Sequence, residues 1–461
     1  MEPEARRRRP DIHHHPLEVL LGLFGDVRPG EAVTVLLMMA NVFLLLSAYY
    51  LLKVAREPLI LLGGGAEVKS YASVGQSVLL VAVASGYGWL AARVGRLALM
   101  ALVTCFFAAN LIVFFGLGTR GAPLGVPFFL WVGIFNTVTI AQFWSFAADT
   151  YTDEQGKRLF PLIAIGSSVG AIAGAALAAP LIKLGSPFPL MLVAAGILMS
   201  TLGITALIHR RELAHAPASA STFHEEPLGR ANAFGLVARD RYLLLIAILI
   251  LILNIVTRTG DYVLDRTLVA QAPAAAHALG IQKAAYIGQF KARYFGVINV
   301  LGLLLQLFAV SRIIKYVGIR ASLVLVPLAS VVGYGTALVM PILGVLVVSR
   351  VVESTLDYTL SNTTRQTLWL VTSREAKYKA KQVVDTFVMR AGDALSACLV
   401  WVGVRVAMTT RMFLAINVAL SLAWLAMSVL IGREHAKRST NALSADLLDA
   451  AKPAEAPLIT T

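Results

Sequence analysis

Apolar runs of about 20 residues recur along nearly all of this 461-residue chain, each long enough for an α-helix to cross the ~30 Å hydrocarbon layer of a bilayer. No other feature restricts the fold as much. In lipid the backbone N–H and C=O groups have no water to bond, so a spanning segment is either a helix or a strand of a closed barrel. Barrel strands show alternation over ~10 residues, and these runs are continuous. The expected fold class is an all-α multi-pass membrane protein. Composition agrees, at 57% hydrophobic and 14% charged, against ~25% charged in soluble domains.

The runs fall at about 32–55, 70–92, 97–118, 124–148, 159–184 and 187–208, then at 241–263, 285–311, 319–339, 341–371, 382–407 and 411–432. Twelve transmembrane helices in two six-helix halves are therefore expected. Residues 1–31 read as a cytoplasmic tail, 32–208 and 241–432 as the halves, 209–240 as a polar cytoplasmic linker, and 433–461 as a second polar tail. Lys and Arg gather in alternate loops, at Arg93 and Arg96, Lys157 and Arg158, 312–320 and 374–381. That bias places both termini in the cytoplasm and accounts for the net charge of +14 without any nucleic acid partner. Lys69, Arg120 and Lys183 are scattered charges on the opposite side, and Gly63 to Gly65 read as a flexible turn in one of those external loops.

Other classes find little support. Cys105 and Cys398 lie in separate apolar runs without metal-ligand spacing. His13, His14 and His15 are neighbours in a polar tail, a weak basis for a metal site. The basic N-terminus lacks the apolar core and cleavage site of a signal peptide. No Ser-His-Asp set, metal cluster or paired carboxylates suggests catalysis, so neither an enzyme nor a cofactor is expected.

Charge inside the apolar runs carries the functional signal, because each ion at membrane depth costs about 2.5–3.5 kcal/mol on insertion scales and marks a site or pathway. Tyr49, Lys53 and Arg56 share one face of the first helix at i, i+4, i+7. Asn254, Arg258, Asp261 and Asp265 repeat the pattern in the seventh helix, and Glu353, Asp357, Ser361 and Arg365 in the tenth, with Arg350 and Asn362 nearby. Gln142 and Asp149 mark the fourth helix, and Gln289, Lys291 and Arg293 the eighth. Such faces are tolerable where they line a water-filled cavity. Structural accounts stand beside this one: Lys53 and Glu57 as an i,i+4 pair, Arg56 snorkelling, Asp149 ending its helix, Arg350 with Glu353 as an internal pair. The aromatic residues Phe143, Trp144 and Phe146 fit packing or interface anchoring better than base stacking.

Two resemblances extend the reading. Gly88-Trp89-Leu90-Ala91-Ala92-Arg93-Val94-Gly95-Arg96 resembles the G-x-x-x-D-R-x-G-R loop of the major facilitator superfamily, with Ala92 in place of its Asp, and Lys315 to Arg320 echoes it in the second half. That resemblance implies two six-helix halves with a site between them near the midplane. "YYLLKVAREPLI" (49–60), "FWSFAADTYTDEQGKRLFPLIAIGSSVGAIAG" (143–174), "GDYVLDRTL" (260–268) and the 358–397 segment are similar to motifs of the ATP/ADP translocase family. This second resemblance implies a nucleotide exchanger with Lys53, Arg56, Asp149, Asp261 and Arg365 at substrate-binding positions. Arg56 and Arg365 stand where the family has Lys, Asp149 and Asp261 where it has Glu, and Asn362-Thr363 where it has Asp-Pro. Arg keeps the charge but is a planar, bidentate donor rather than a point charge.

The reading that results is a monomeric inner-membrane transporter of a bacterium, exchanging ATP/ADP-like anions by alternating access. Arg56 and Arg365 would clamp the anion across the pseudo-twofold. Glu57, Arg258, Asp265, Glu353, Asp357, Asn362, Asp385 and Arg390 are candidates for gating or coupling. A carrier of another phosphorylated or organic anion, with or without proton coupling through Asp149, Asp261 or Asp357, is the alternative. A receptor or scaffold on the same fold is the other.

Overall fold

The computed structural model describes residues 27, 28, 30–183, 185–215, 233–369, 371–373, 376 and 380–450. The His13–His15 cluster, most of the linker and Arg374, Lys377 and Lys379 of the basic run lie outside these. Long helices follow one another as α1 (Ala32–Ala91), α2 (Arg96–Thr119), α3 (Gly125–Thr150), α4 (Asp153–Ile182), α5 (Pro189–His215), α6 (Arg241–Ala278), α7 (Lys283–Phe308) and α8 (Gly318–Val339). Next come α9 (Leu343–Leu356), α10 (Met389–Arg405) and α11 (Thr410–Ala450). The chain is an all-α multi-pass membrane protein.

Where apolar runs were read as two helices, α1 runs through both. Its Gly65 departs from helical geometry at φ 76°, ψ −179°, a region essentially reserved for glycine. In a straight helix Glu57 and Lys69 would stand ~18 Å apart; here Lys69 Nζ lies 2.6 Å from the Glu57 carboxylate. The chain therefore doubles back between them, and α1 accounts for two crossings. The triple glycine is the corner of this hairpin, with helical turns up to it on both sides, rather than a loose external loop.

Among the described residues ten helices are long and apolar enough to cross a membrane, α1 being one of them. The segment expected as a single helix over 341–371 is not in that set. Its α-helical part ends at Leu356, a π turn spans Asp357–Ser361, and Asn362–Leu368 resumes the α form. A similar π turn, Val384–Val388, precedes α10. Single-turn π bulges of this kind are frequent at functional sites.

Packing separates two apolar cores. One gathers residues from α1 to α5 with Ala292; the other gathers α6 to α11 with a few residues around the α1 corner and Phe129. Within the first, Gly166, Gly170 and Gly174 of α4 form a small-residue stripe against the backbone of α1. A methyl group on Gly166 would meet the Met39 carbonyl oxygen at 2.6 Å, and those on Gly170 and Gly174 would strike Phe43 and Ser47. Without a hydrophobic drive between helices in lipid, such close approach and the Ser47 Oγ bond to the Gly170 carbonyl (3.1 Å) hold the pair.

Two polar segments are more ordered than their composition predicts. Ala233–Arg239, in the expected linker, is a helix. In the expected C-terminal tail α11 continues past Gly432, where His435 is buried and Arg438 makes hydrogen bonds of 2.6 and 3.1 Å to Asp240. Asp240 also caps α6 through the Tyr242 N–H. Burial pushes the Asp240 carboxyl up, but the bonds from Arg438 and the backbone outweigh it and hold the group below the usual carboxylate range. At the other end Glu31, just ahead of α1, receives Arg158 at 3.0 Å. There too the bonds from Arg158, the Arg28 N–H and Gln155 overcome burial and keep the carboxyl ionised to lower pH.

Candidate functional site

A cavity of about 280 Å³ lies between the two cores, lined from α1, α3, α6, α7, α9, α10 and the π turn after α9. Helical periodicity explains who faces it. Tyr49, Lys53 and Arg56 come from the first arm of α1, and Lys69, Ser73 and Gln76, at the same i, i+4, i+7 spacing, from the second. Opposite them stand Arg258 and Asp261 of α6, Lys291 and Tyr294 of α7, and Arg390 and Asp393 of α10. Six cationic side chains and three carboxylates line the space, so its charge is positive.

Lys53 has no carboxylate within ion-pair distance among the described residues. Its ammonium instead stands 4.2 Å from the Phe295 ring centre and 4.8 Å from that of Tyr50. The i,i+4 bond to Glu57 is not formed. Glu57, wholly buried, faces the other way and meets Arg56 at 3.3 Å, Lys69 at 2.6 Å and Lys291 at 3.5 Å. Lys69 also reaches Asp265 at 2.7 Å, and Lys291 bonds Asp265 closely. Glu57, Lys69, Asp265 and Lys291 thus form a buried ionic ring tying both arms of α1 to α6 and α7.

Across the cavity, Arg258 Nε bonds one oxygen of Asp393 at 2.7 Å and Arg390 bonds the other at 3.1 Å. Asn254 and Ser77 complete the carboxylate's partners. Two guanidiniums share one carboxylate and remain 44% and 41% exposed, leaving donors and one net positive charge turned to the space. Asp261 faces the cavity with Arg350 behind it at 2.6 Å. Arg350 is in turn held by Glu353 at 2.6 Å and by the Tyr334 hydroxyl at 3.1 Å, a buried internal pair that supports Asp261 from outside the cavity.

Of the residues singled out in the sequence, Lys53, Arg56, Glu57, Arg258, Asp261 and Arg390 line this cavity, and Asp265 adjoins it. Asp149, Arg365, Glu353, Asp357, Asn362 and Asp385 do not. Asp149 is largely exposed at the end of α3, 3.6 Å from Arg96. Arg365 is paired with Asp357 at 3.1 Å, one turn beyond the π bulge, so it is not brought opposite Arg56. Both lie toward the ends of their helices and away from the cavity lining. Lys69, assigned from its neighbours to an external loop, is a cavity residue instead. The Lys69-Ser73-Gln76 spacing was the signal that identifies it. Asp393, three residues after Arg390, carried the same kind of signal.

No family model matches the sequence, and comparison with curated proteins gives no match. Solved structures do resemble it. The nucleoside transporter NupG is 14% identical over 86% of this chain and 98% of its own, with a TM-score of 0.59. A bacterial homologue of the iron transporter ferroportin, in its inward-facing state, gives 0.61 at 11% identity over 87% and 98%. A bacterial homologue of the lysosomal transporter Spinster gives 0.57 at 14% over 90% and 99%. The chain shares its overall fold with these three structures.

Proposed function

We propose that the chain is a secondary transporter of an organic phosphate, exchanging nucleotides of the ATP/ADP kind across a bacterial inner membrane by alternating access of the halves 32–208 and 241–432. The observation that carries this is the charge balance of the central cavity, with six cations against three carboxylates. An anion seated between Lys53 and Arg56 on one side and Arg258 and Arg390 on the other would receive charge-assisted hydrogen bonds, the strong kind in a desolvated site. The rings of Tyr50, Phe129 and Phe295 beside these cations suit a substrate with a planar moiety. Asp261 and Asp393 would hold the arginines when the site is empty. Arg365 with Asp357, Asp149 with Arg96, and Asp385 at the opening of the second π turn would act along the path. In this reading the transporter is a monomer, and the bias of Lys and Arg among the loops supports cytoplasmic termini.

The size of the cavity favours a second reading. Ligand sites usually span ~300–1,000 Å³, and 280 Å³ suits a smaller phosphorylated anion better than a nucleoside triphosphate. Counterflow separates the two. Proteoliposomes containing the protein and loaded with ADP should accumulate labelled ATP; uptake driven only by a loaded sugar phosphate or inorganic phosphate selects the smaller substrate. Arg258→Gln with Arg390→Gln should abolish uptake in protein that still elutes as a single species. Failure of every phosphorylated compound to drive uptake overturns both readings.

A further inference from the structure

The outer face of α8 and α9 carries a second concavity, a groove of about 870 Å³ that is apolar almost throughout. Its floor is set by small residues. Ala329 and Gly333 of α8 face Ser349 of α9, and a methyl group on Gly333 would come within 2.9 Å of the Ser349 Cβ. The Ser349 hydroxyl is spent on the Gly333 and Val345 carbonyls at 3.0 and 2.8 Å, so the floor is dry. Bulky exposed lips, Leu328 and Val332 on one side and Val348 on the other, rise around it. The α9 lining runs from Ile342 through the π turn to Leu360, about 27 Å of helix and close to the ~30 Å of bilayer hydrocarbon.

One end of the groove is marked by charge. Ile313 lines it there, and Arg312 and Lys315 in the same turn are exposed and make no salt bridge among the described residues. Tyr316, 76% exposed in the same turn, is an interfacial aromatic. The loop charges assign this end to the cytoplasmic leaflet, where basic residues flanking a transmembrane helix attract acidic headgroups. We propose that the groove between α8 and α9 binds one anionic phospholipid, with an acyl chain on the Ala329–Gly333–Ser349 floor and the headgroup phosphate at Arg312 and Lys315. Leu356, just before the π turn, and Leu360 within it belong to the groove, while Ser354 of α9 and Tyr358 of the turn line the central cavity. The lipid would therefore brace the helix that carries the cavity wall. This site is independent of which substrate the cavity takes.

Native mass spectrometry of the full chain, released from detergent with phosphatidylglycerol or phosphatidylcholine of identical acyl chains, tests the assignment. One phosphatidylglycerol should bind more tightly than one phosphatidylcholine. Arg312→Gln with Lys315→Gln should weaken phosphatidylglycerol ~10–30-fold, as expected for two basic contacts at a membrane surface, and leave phosphatidylcholine unchanged. Ala329→Phe should weaken both lipids; Val348→Trp, on the exposed lip, does the same if the first variant fails to fold. Equal binding of the two lipids by the native protein overturns the proposal. So does undiminished phosphatidylglycerol binding in a folded groove-filling variant, which would mean surface charge alone. A dimer whose dissociation frees the groove would make a second copy the occupant and refute it as well.

Discussion

Replacing Lys291 by Met should destabilise the protein by about 3–5 kcal/mol. Lys291 is 3% exposed, bonds Asp265 and stands 3.5 Å from Glu57. At an effective dielectric of ~20 an opposite charge at that distance attracts by roughly 4–5 kcal/mol, which agrees with the cost of breaking one partner out of a buried ionic group. Met keeps the length and flexibility of the side chain, so packing loss is small. What remains is two buried carboxylates sharing Lys69 and the edge of Arg56. Adding Asp265→Leu removes the carboxylate left uncompensated, and the double variant should recover all but about 1 kcal/mol, because buried ion pairs replaced together by apolar residues are often near neutral. Melting of the purified proteins in one detergent, at one scan rate since unfolding at this size is a kinetic quantity, gives the readout. At ~1 °C per kcal/mol for a chain this long, Lys291→Met should melt about 3–5 °C below native and the double variant within about 1 °C of it. A Lys291→Met protein that melts with native, or a double variant that falls by the sum of its single changes, refutes the ionic ring as a coupled unit.

The Asp240–Arg438 contact should be pH-dependent in a defined direction. The Asp240 carboxyl is held below its ordinary range, so its contribution is fully present above the unfolded value near ~3.9 and is lost as pH falls through the folded one. With both side chains about a third exposed, it is worth no more than about 1 kcal/mol. Asp240→Asn should therefore melt slightly below native at pH 7, and the difference should start to shrink below about pH 4 and vanish only once the folded carboxyl is protonated, at lower pH still; a difference that persists there would assign the effect to the helix cap instead. Gly170→Leu should lower the yield of monodisperse protein sharply, because its side chain meets the Phe43 backbone and overpacking costs roughly 1–3 kcal/mol or more. Gly196→Leu, with open space around it, serves as the control, and equal yields for the two would remove the glycine stripe from the α1–α4 contact.

The all-α membrane-spanning class was legible in the sequence because it depends on length and continuity of apolar runs, which local composition records. So was the presence of a polar interior. Lys53, Arg56, Arg258 and Asp261 are expensive in lipid wherever they sit, and helical spacing alone puts them on shared faces. Partnership within one helix was legible for Arg350 with Glu353, but partnership between helices was not. The Lys53–Glu57 spacing allowed a bond within one helix, yet the corner at Gly65 brings Lys69 to Glu57, and α6 and α7 bring Asp265 and Lys291 to the same point. Lys69 looked like a loop charge because a window of hydropathy cannot see a hairpin whose two arms are both helical. Arg365 looked like the partner of Arg56 because motif order carries no depth; the π turn before it and its bond to Asp357 set it outside the cavity. Ion pairing is decided by distances of a few ångströms between residues far apart in the chain, such as Arg258 with Asp393. Only the tertiary structure fixes those distances, and with them which charges cancel and which are left facing the cavity.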